Sequence, residues 1–259
     1  MSIFYSKSFY QRDYDRTQRS ADTVTRLIWQ VLTLNSMTLR SVIDIGCGRG
    51  VWLNEFSKRG VAHVKGRDGP WVQKANPLVA SEKFEATDLA KPFCEDLKFD
   101  LAMSLEVAEH LDEGKADGFV ASLAGLSDTV MFSAAIGGQG GQHHVNEQPL
   151  SYWVAKFEAH GFRMIDAIRP HVWNNSDVCW WYRQNIVFFA KDTSPFLPAL
   201  NALQASAPAI VNLAHPQGFS EKARLANLFS PEEYVGLFVD RTRARIARLI
   251  GRGQAHQDT

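Results

Sequence analysis

The sequence predicts a doubly wound α/β fold with a mostly parallel sheet and helical additions at both ends. Three observations predict it. Between residues 41 and 191, short apolar segments alternate with helix-like segments, which is typical of βαβ units. A glycine-rich turn separates the first of these segments from the helix that follows. Acidic residues lie at or just after the ends of the first four apolar segments, and open α/β sheets bind ligands at such strand ends.

Seven short apolar segments are predicted as strands: Val42–Ile45, Val61–Lys65, Lys83–Ala86, Phe99–Ser104, Thr129–Ser133, Arg163–Ile168 and Asn185–Ala190. Helices are predicted between them at Val51–Arg59, Glu113–Gly125 and Leu150–His160. Each of these helices ends near a glycine, the usual residue of a left-handed C-cap: Gly60, Gly125 and Gly161. Residues 169–184 contain no helix of crossover length, so we expect the last strand to add antiparallel at one sheet edge.

Two helical extensions are expected to flank this central domain of residues 41–191. In the N-terminal one, residues 1–40, apolar side chains recur at helical spacing from Thr17 to Leu39. In the C-terminal one, residues 192–259, Ser230 and Pro231 begin a final helix rich in arginine. That basic amphipathic helix either contacts an anionic membrane surface or packs on the domain with its arginines exposed.

Composition excludes several classes of protein. The 259 residues carry 28 Lys+Arg and 28 Asp+Glu, without the basic excess that nucleic-acid binding needs. No apolar run is long enough to span a membrane, and the N-terminus lacks the apolar stretch of a secretion signal. Three widely spaced cysteines, Cys47, Cys94 and Cys179, indicate reduced thiols in a cytoplasmic protein. The oligomeric state stays open.

The strongest local signal is VIDIGCGRG, residues 42–50, in which an apolar strand ends in glycines and a helix follows. Gly46 and Gly48 let the backbone turn sharply and let a ligand approach the amide of Cys47. The spacing is not the G-x-G-x-x-G of dinucleotide sites, which argues against a nicotinamide enzyme. Asp44 would repel a pyrophosphate but suits a cationic ligand. The alternative is a plain strand-to-helix turn.

Further acids follow the next strands. Asp68 lies 20 positions after Gly48 (68 − 48), where a ribose-binding acid is expected. Asp88 follows the third strand, where an adenine amino group could donate to it, and Glu106 follows the fourth. Each acid alone is more often a surface residue or a helix cap, but together they would line one crevice.

These motifs resemble those of the class I S-adenosylmethionine-dependent methyltransferases, over about residues 41–191. The resemblance implies a Rossmann-like methyltransferase fold of seven strands with the last antiparallel, and S-adenosylmethionine as cofactor. It also implies that the glycine loop holds the methionine part of the cofactor. Asp68, with Gly69 beside it, would take the ribose hydroxyls, and Asp88 with the backbone of Leu89 would read adenine.

The resemblance extends to SLEVAEHL, residues 104–111, which would pack beside the cofactor and face the substrate. One departure is that Gly69-Pro70-Trp71 follows the second-strand acid in place of the commoner small polar residues. Trp71 would either cover the adenine ring or serve as a structural tryptophan.

The substrate side is expected in the glycine-rich loop after the fifth strand. His143 or His144 in this loop is a candidate general base for a hydroxyl nucleophile, and His110 is a third candidate. The alternative is that one of the pair caps the next helix or bonds Glu147. Since magnesium prefers oxygen ligands, His143, His144 and Glu147 suit it poorly, and we predict no metal.

A tryptophan-rich segment, residues 170–184, offers flat faces with polar neighbours, which suit sugar rings. Its Trp173, Trp181 and Tyr182, with Glu147, are the expected substrate contacts, although a packed cover over the sheet edge is an alternative. The resemblance is nearest to bacterial methyltransferases acting on glycans or sugar-bearing small molecules.

Together these features predict an O-methyltransferase acting on a hydroxyl of such an acceptor. Two alternatives stay open. One is an N- or C-methyltransferase acting on another small metabolite, and the other is a non-catalytic scaffold that binds S-adenosylmethionine.

Overall fold

The computed structural model describes residues 14–75, 77–204 and 210–226. The chain divides into two compact units, residues 1–215 and 216–259. All seven strands belong to the first unit, whereas the described part of the second is a single helix, Pro216–Ala226. The predicted final helix from Ser230, with its arginines, lies outside the described residues.

The first helix, α1, spans Tyr14–Leu34 and buries one apolar face. Val24, Ile28 and Leu32 on this face belong to a hydrophobic cluster that also contains strand residues. The sequence predicted that the helix would continue to Leu39, but it ends five residues earlier. Ser36, with φ of 55°, takes the left-handed conformation that terminates it.

The strands are β1 (Ser41–Ile45), β2 (His63–Asp68), β3 (Phe84–Ala86), β4 (Leu101–Leu105), β5 (Thr129–Ser133), β6 (Arg163–Ile165) and β7 (Val187–Ala190). They form one sheet in the order β3-β2-β1-β4-β5-β7-β6. Pairs from β3 through β5 are parallel, and β7 runs antiparallel to both its neighbours. The seven-stranded, mostly parallel sheet is confirmed.

The position of the antiparallel strand differs from the prediction. We expected it at the sheet edge, but β7 lies between β5 and β6, and β6 forms the edge. All four residues of β7 are buried, whereas β6 begins with the exposed Arg163. A strand that is apolar throughout is most stable with a neighbour on both sides.

The helices after β1 are α2 (Val51–Lys58), α3 (Ala116–Leu126), α4 (Leu150–Glu158), α5 (Arg169–Val172), α6 (Trp180–Asn185), α7 (Leu197–Leu203) and α8 (Pro216–Ala226). Gly60 and Gly161 have positive φ beyond α2 and α4, as expected of C-caps. Gly125 is not a cap, because α3 continues to Leu126. The short α5 and α6 fill the segment predicted to lack a crossover helix.

Two hydrophobic clusters cover opposite faces of the sheet. Val42 faces the cluster that includes α1 and α2 residues, and its neighbour Ile43 faces the cluster that includes Phe119 of α3 and Trp153 of α4. This alternation follows from the two-residue period of a strand. The central strands are therefore enclosed on both faces, and their carboxyl ends remain as the place for a site. No helix among the described residues is long and apolar enough to cross a membrane.

Gly46→Ala tests the turn after β1. Gly46 has φ of +83°, and a Cβ there would lie 2.3 Å from Val107 Cγ2. We expect the free energy of unfolding to fall by about 3 kcal/mol, from backbone strain and overpacking. Urea unfolding measures it, with Gly118→Ala as control. Nothing lies within 4 Å of a Cβ at helical Gly118, so that change should stabilise by about 1 kcal/mol. Equal stabilities would contradict this account of the turn.

Candidate functional site

The glycine turn after β1 is fixed against the next strand. The amides of Gly46 and Cys47 both donate to the carbonyl oxygen of Arg67 in β2, at 2.7 and 3.2 Å. Gly46, Gly48 and Gly50 all have positive φ. Burial, with Asp44 and Asp68 nearby, raises the pKa of the Cys47 thiol. The turn therefore presents backbone beside a neutral thiol.

Two buried carboxylates lie beside this turn. Asp68 accepts hydrogen bonds from the amides of Gly48 at 2.8 Å and Gly69 at 2.6 Å. Burial nevertheless raises the pKa of Asp68 to about 6. Burial and the neighbouring Asp68 raise the pKa of Asp44 well above its usual value. A cationic ligand would relieve the cost of keeping these carboxylates ionised.

The end of β3 lies next to Asp68, since the amide of Thr87 donates to the Asp68 carbonyl oxygen at 2.8 Å. Asp88 is exposed and lies 3.5 Å from the ammonium of Lys91, and Leu89 is half-buried. A Cβ on Gly69 would be only 2.0 Å from the ring of Trp71. The tryptophan therefore lies directly against the backbone that follows Asp68.

Glu106, just after β4, has φ of 56°. Its carboxylate accepts hydrogen bonds from Gln139 Nε2 at 2.8 Å and Asn185 Nδ2 at 3.0 Å. Burial raises the pKa of Glu106 to about 6. Gln139 and Asn185 were not predicted, since neither has a local sequence signal that ties it to Glu106.

His144 is held in the loop after β5 by Glu147. The Nδ1 of His144 lies 2.8 Å from Glu147 Oε1, and Glu147 also accepts the amides of Gly138 and Gly140. This Glu147 contact is the one that the sequence offered as an alternative to catalysis. The opposite nitrogen, Nε2, faces Glu109 Oε1 at 3.9 Å, so the contact orients the imidazole and leaves its other side toward a second acid.

The three candidate histidines have different surroundings. His110 and His144 form an edge-to-face pair with ring centroids 4.9 Å apart. Burial, followed by the charge of His144, lowers the pKa of His110 to about 4. His143 is exposed with φ of 62°, and its carbonyl oxygen lies 3.3 Å from His110 Nδ1. The structure thus brings His110 and His144 together.

Glu109 is a residue that the sequence analysis did not assign. It is fully buried, and neither carboxylate oxygen has a hydrogen-bond partner among the described residues. Burial, and then the charge of Glu106, raises its pKa well above the usual value. The sequence held one signal for Glu109, which is its spacing of three positions from Glu106. In the structure Glu109 lies in a 3₁₀ helix, Ala108–His110.

The aromatic side chains of the tryptophan-rich segment pack against other residues of the chain. Trp173 is half-buried against His215, with ring centroids 4.6 Å apart, and Trp181 lies under the guanidinium of Arg16 at 5.0 Å. Tyr182 is buried edge-on against Trp52 in the core. Substrate contact by these side chains and by Glu147 stays a prediction.

Comparisons with known proteins agree with this architecture. Residues 11–122 match a family described as a methyltransferase domain. An uncharacterized methyltransferase of Mycobacterium sp. (strain KMS) is 31% identical over 88 residues, which are 33% of this chain and 34% of that relative. The chain thus matches about a third of the length of that relative.

Two solved structures share the fold. DesVI of Streptomyces venezuelae matches with a TM-score of 0.53 at 13% identity, covering 70% of this chain and 96% of that one. CalS10, an amino pentose methyltransferase of Micromonospora echinaspora determined with S-adenosylmethionine bound, matches with a TM-score of 0.51 at 15% identity, covering 71% and 96%.

The fold and the family match show that this chain is similar to methyltransferases of the α/β class. The family match spans residues 11–122, less than half of the 259-residue chain. The cofactor to test against the site is S-adenosylmethionine, which is bound in the structure of CalS10. The residues present fit this cofactor. Two buried carboxylates, Asp44 and Asp68, suit a molecule with a positive sulfonium and ribose hydroxyls. The Cys47 amide, expected to meet a ligand, instead donates to Arg67, and the Gly48 amide donates to Asp68, so the turn offers backbone contact without these two donors.

Cofactor affinity should depend on pH through Asp68. Should Asp68 bind the ribose hydroxyls, its pKa of about 6 means that protons compete with those hydroxyls below that value. Affinity for S-adenosylmethionine should therefore fall about 10-fold from pH 7 to pH 5. Isothermal titration calorimetry measures it, and Asp68→Asn should bind weakly with a flatter profile. A wild-type affinity that stays constant over this range would contradict the role of Asp68.

Proposed function

We propose that the protein transfers a methyl group from S-adenosylmethionine to a hydroxyl of a sugar, a glycan or a sugar-bearing small molecule. The acceptor oxygen bonds to the methyl carbon as the carbon–sulfur bond breaks, which leaves S-adenosylhomocysteine, and the hydroxyl proton passes to a base. The bound cofactor supplies the activated methyl carbon. The chain must therefore orient both partners and remove the proton.

The cofactor residues are proposed at the carboxyl ends of β1 to β4. Asp44 offers negative charge toward the sulfonium side, Asp68 takes the ribose hydroxyls, and Asp88 stands at the adenine end. Glu106 is also proposed to contact the cofactor. The remaining proposed contacts are backbone groups of the turn and of the segments after β2 and β3: Gly46, Cys47, Gly48, Gly69 and Leu89. The adjacent strand order β3-β2-β1-β4 supports this grouping.

The observation that carries the acceptor side is the hydrogen bond between His144 Nδ1 and Glu147. A carboxylate only accepts, so Nδ1 carries the hydrogen and the Nε2 lone pair is available for a proton. The same loop reaches the proposed cofactor side, because Gln139 donates to Glu106. Among the three candidates, His144 is therefore the proposed base, ahead of the exposed His143 and of His110 with its low pKa.

A sugar acceptor is supported by the partial exposure of Trp173 and Trp181, since flat rings stack well on sugar rings, although Arg16 and His215 already pack against these two rings. CalS10, which shares the fold, is described as an amino pentose methyltransferase. We also propose a cytoplasmic location. None of the three cysteines forms a disulfide, and Cys94 is exposed, as expected of thiols in a reducing compartment.

A panel assay tests the acceptor class. Radiolabelled S-adenosylmethionine is supplied with sugars, glycosides, amines and activated carbon acids, and methylated products are identified by mass spectrometry. Methylation of a sugar hydroxyl supports the proposal, and methylation of an amine or carbon acid alone replaces it with the N- or C-methyltransferase alternative. Cofactor binding without methylation of any of these acceptors favours the scaffold alternative.

Substitution of His144 tests the proton acceptor. His144→Ala should lower kcat about 100-fold or more, the typical contribution of a general base, while the affinity for S-adenosylmethionine stays unchanged. His143→Asn is the matched control. Asparagine tolerates the positive φ of that position, so turnover should be near wild type. If His144→Ala turns over as fast as His143→Asn, His144 is not the base.

A further inference from the structure

Three side chains from two separate loops meet beside the proposed acceptor site. Glu109 and His110 follow β4, His144 follows β5, and one ligand atom of each lies within 4.8 Å of the other two. Glu109 is fully buried, and the two rings are mostly covered. Side chains of these types at this spacing can close around one small cation.

The carboxylate of Glu109 points to a ligand independently of that spacing. Neither of its oxygens has a hydrogen-bond partner among the described residues, and Oε1 faces His144 Nε2. The backbone amides of Glu109 and Ala135 lower the pKa of this carboxylate less than burial raises it. A buried carboxylate that forms no hydrogen bond is costly, and a metal ion is one of the few ligands that can offset the cost.

The hydrogen bonds on the far side of each ring favour the same conclusion. His110 Nδ1 lies 3.3 Å from the carbonyl oxygen of His143, which only accepts, so Nδ1 carries the hydrogen and Nε2 the lone pair. Glu147 sets the same tautomer on His144. Metal-binding histidines typically donate their other N–H to a carbonyl or carboxylate in this way.

We propose that Glu109, His110 and His144 bind one divalent transition-metal ion. Two imidazole nitrogens and one carboxylate favour ions such as Mn²⁺, Fe²⁺, Co²⁺ or Zn²⁺ over Mg²⁺ and leave coordination positions open. The sequence-based prediction of no metal concerned His143, His144 and Glu147. In the structure, Glu147 contacts His144 Nδ1 and the backbone carbonyl of His143 contacts His110 Nδ1, so the proposed ligand set is a different one.

The catalytic role of this metal rests on the proposed O-methylation. The binding of the metal does not depend on that proposal. A cation here would attract the acceptor hydroxyl and lower its pKa, so that solvent could take the proton. The lone pair of His144 cannot hold a cation and accept a proton at once. In the metal-loaded protein, His144 is thus a ligand and does not act as the base.

Cobalt titration tests the site. The full chain is stripped with a chelator and titrated with Co²⁺, followed by visible absorption and calorimetry, with Mg²⁺ in a parallel arm. We expect one Co²⁺ per chain, d–d bands of a nitrogen- and oxygen-ligated ion, and much weaker Mg²⁺ binding. Glu109→Gln and His144→Ala should each weaken Co²⁺ binding about 100-fold, and His143→Asn should bind like wild type.

Thermal unfolding of the metal-free variants separates ligation from misfolding. Glu109→Gln removes a buried charge, so its melting temperature should equal or exceed that of the metal-free wild type. Co²⁺ binding that is equal in wild type, Glu109→Gln and His144→Ala overturns the site, as does a failure of wild type to bind.

Methyl transfer measured on the same samples distinguishes the two proposals. Sugar methylation without Co²⁺ binding leaves the proposed function and removes the metal. Specific Co²⁺ binding without methylation of a hydroxyl leaves the metal site and removes the proposed function. Chelator-insensitive methylation by a chain that binds Co²⁺ specifically keeps the site and returns the role of base to His144.

Discussion

Buried negative charge at the carboxyl ends of the parallel strands is the constraint on which the rest of the site depends. Asp44, Asp68, Glu106 and Glu109 lie at or just beyond the ends of β1, β2 and β4, and burial is the largest cause of the raised pKa of each. Removing a carboxylate from water costs free energy unless donors or cations replace the water. The donors and charges around each acid therefore indicate which kind of ligand it would bind.

The acids differ in the donors that they receive. Asp68 has two backbone amides and Glu106 has two side-chain amides, so both can stay ionised at neutral pH. Glu109 forms no hydrogen bond within the described part of the chain, and burial outweighs the backbone amides of Glu109 and Ala135, which lower its pKa. This gradation separates residues that would meet a cationic cofactor from one whose environment suits a metal ion.

Side-chain amides link the proposed cofactor side to the proposed acceptor side. Gln139 of the loop after β5 and Asn185 at the end of α6 both donate to Glu106, and Gln184 donates to Gln139. The loop that carries His144 is thus tied to the strand end beside the glycine turn. Because these bonds join elements distant in sequence, a shift in α6 would be transmitted to both sides.

Much of the fold could be predicted because its signals are local. The alternation of apolar segments located all seven strands, and the glycine turn with its acids located the strand ends. The signals failed where packing decides. Gly125 is the residue type of a C-cap but lies inside α3. Strand β7 is antiparallel, as expected, but does not lie at the sheet edge.

The sequence by itself determined the sheet, the bare turn after β1 and the acids that follow the strands, since each depends on near neighbours along the chain. Only the tertiary structure decided that Tyr182 packs into the core against Trp52 and that Glu109, His110 and His144 converge. The physical reason is that burial and the meeting of two loops arise from long-range packing, on which residue spacing along one segment carries no information.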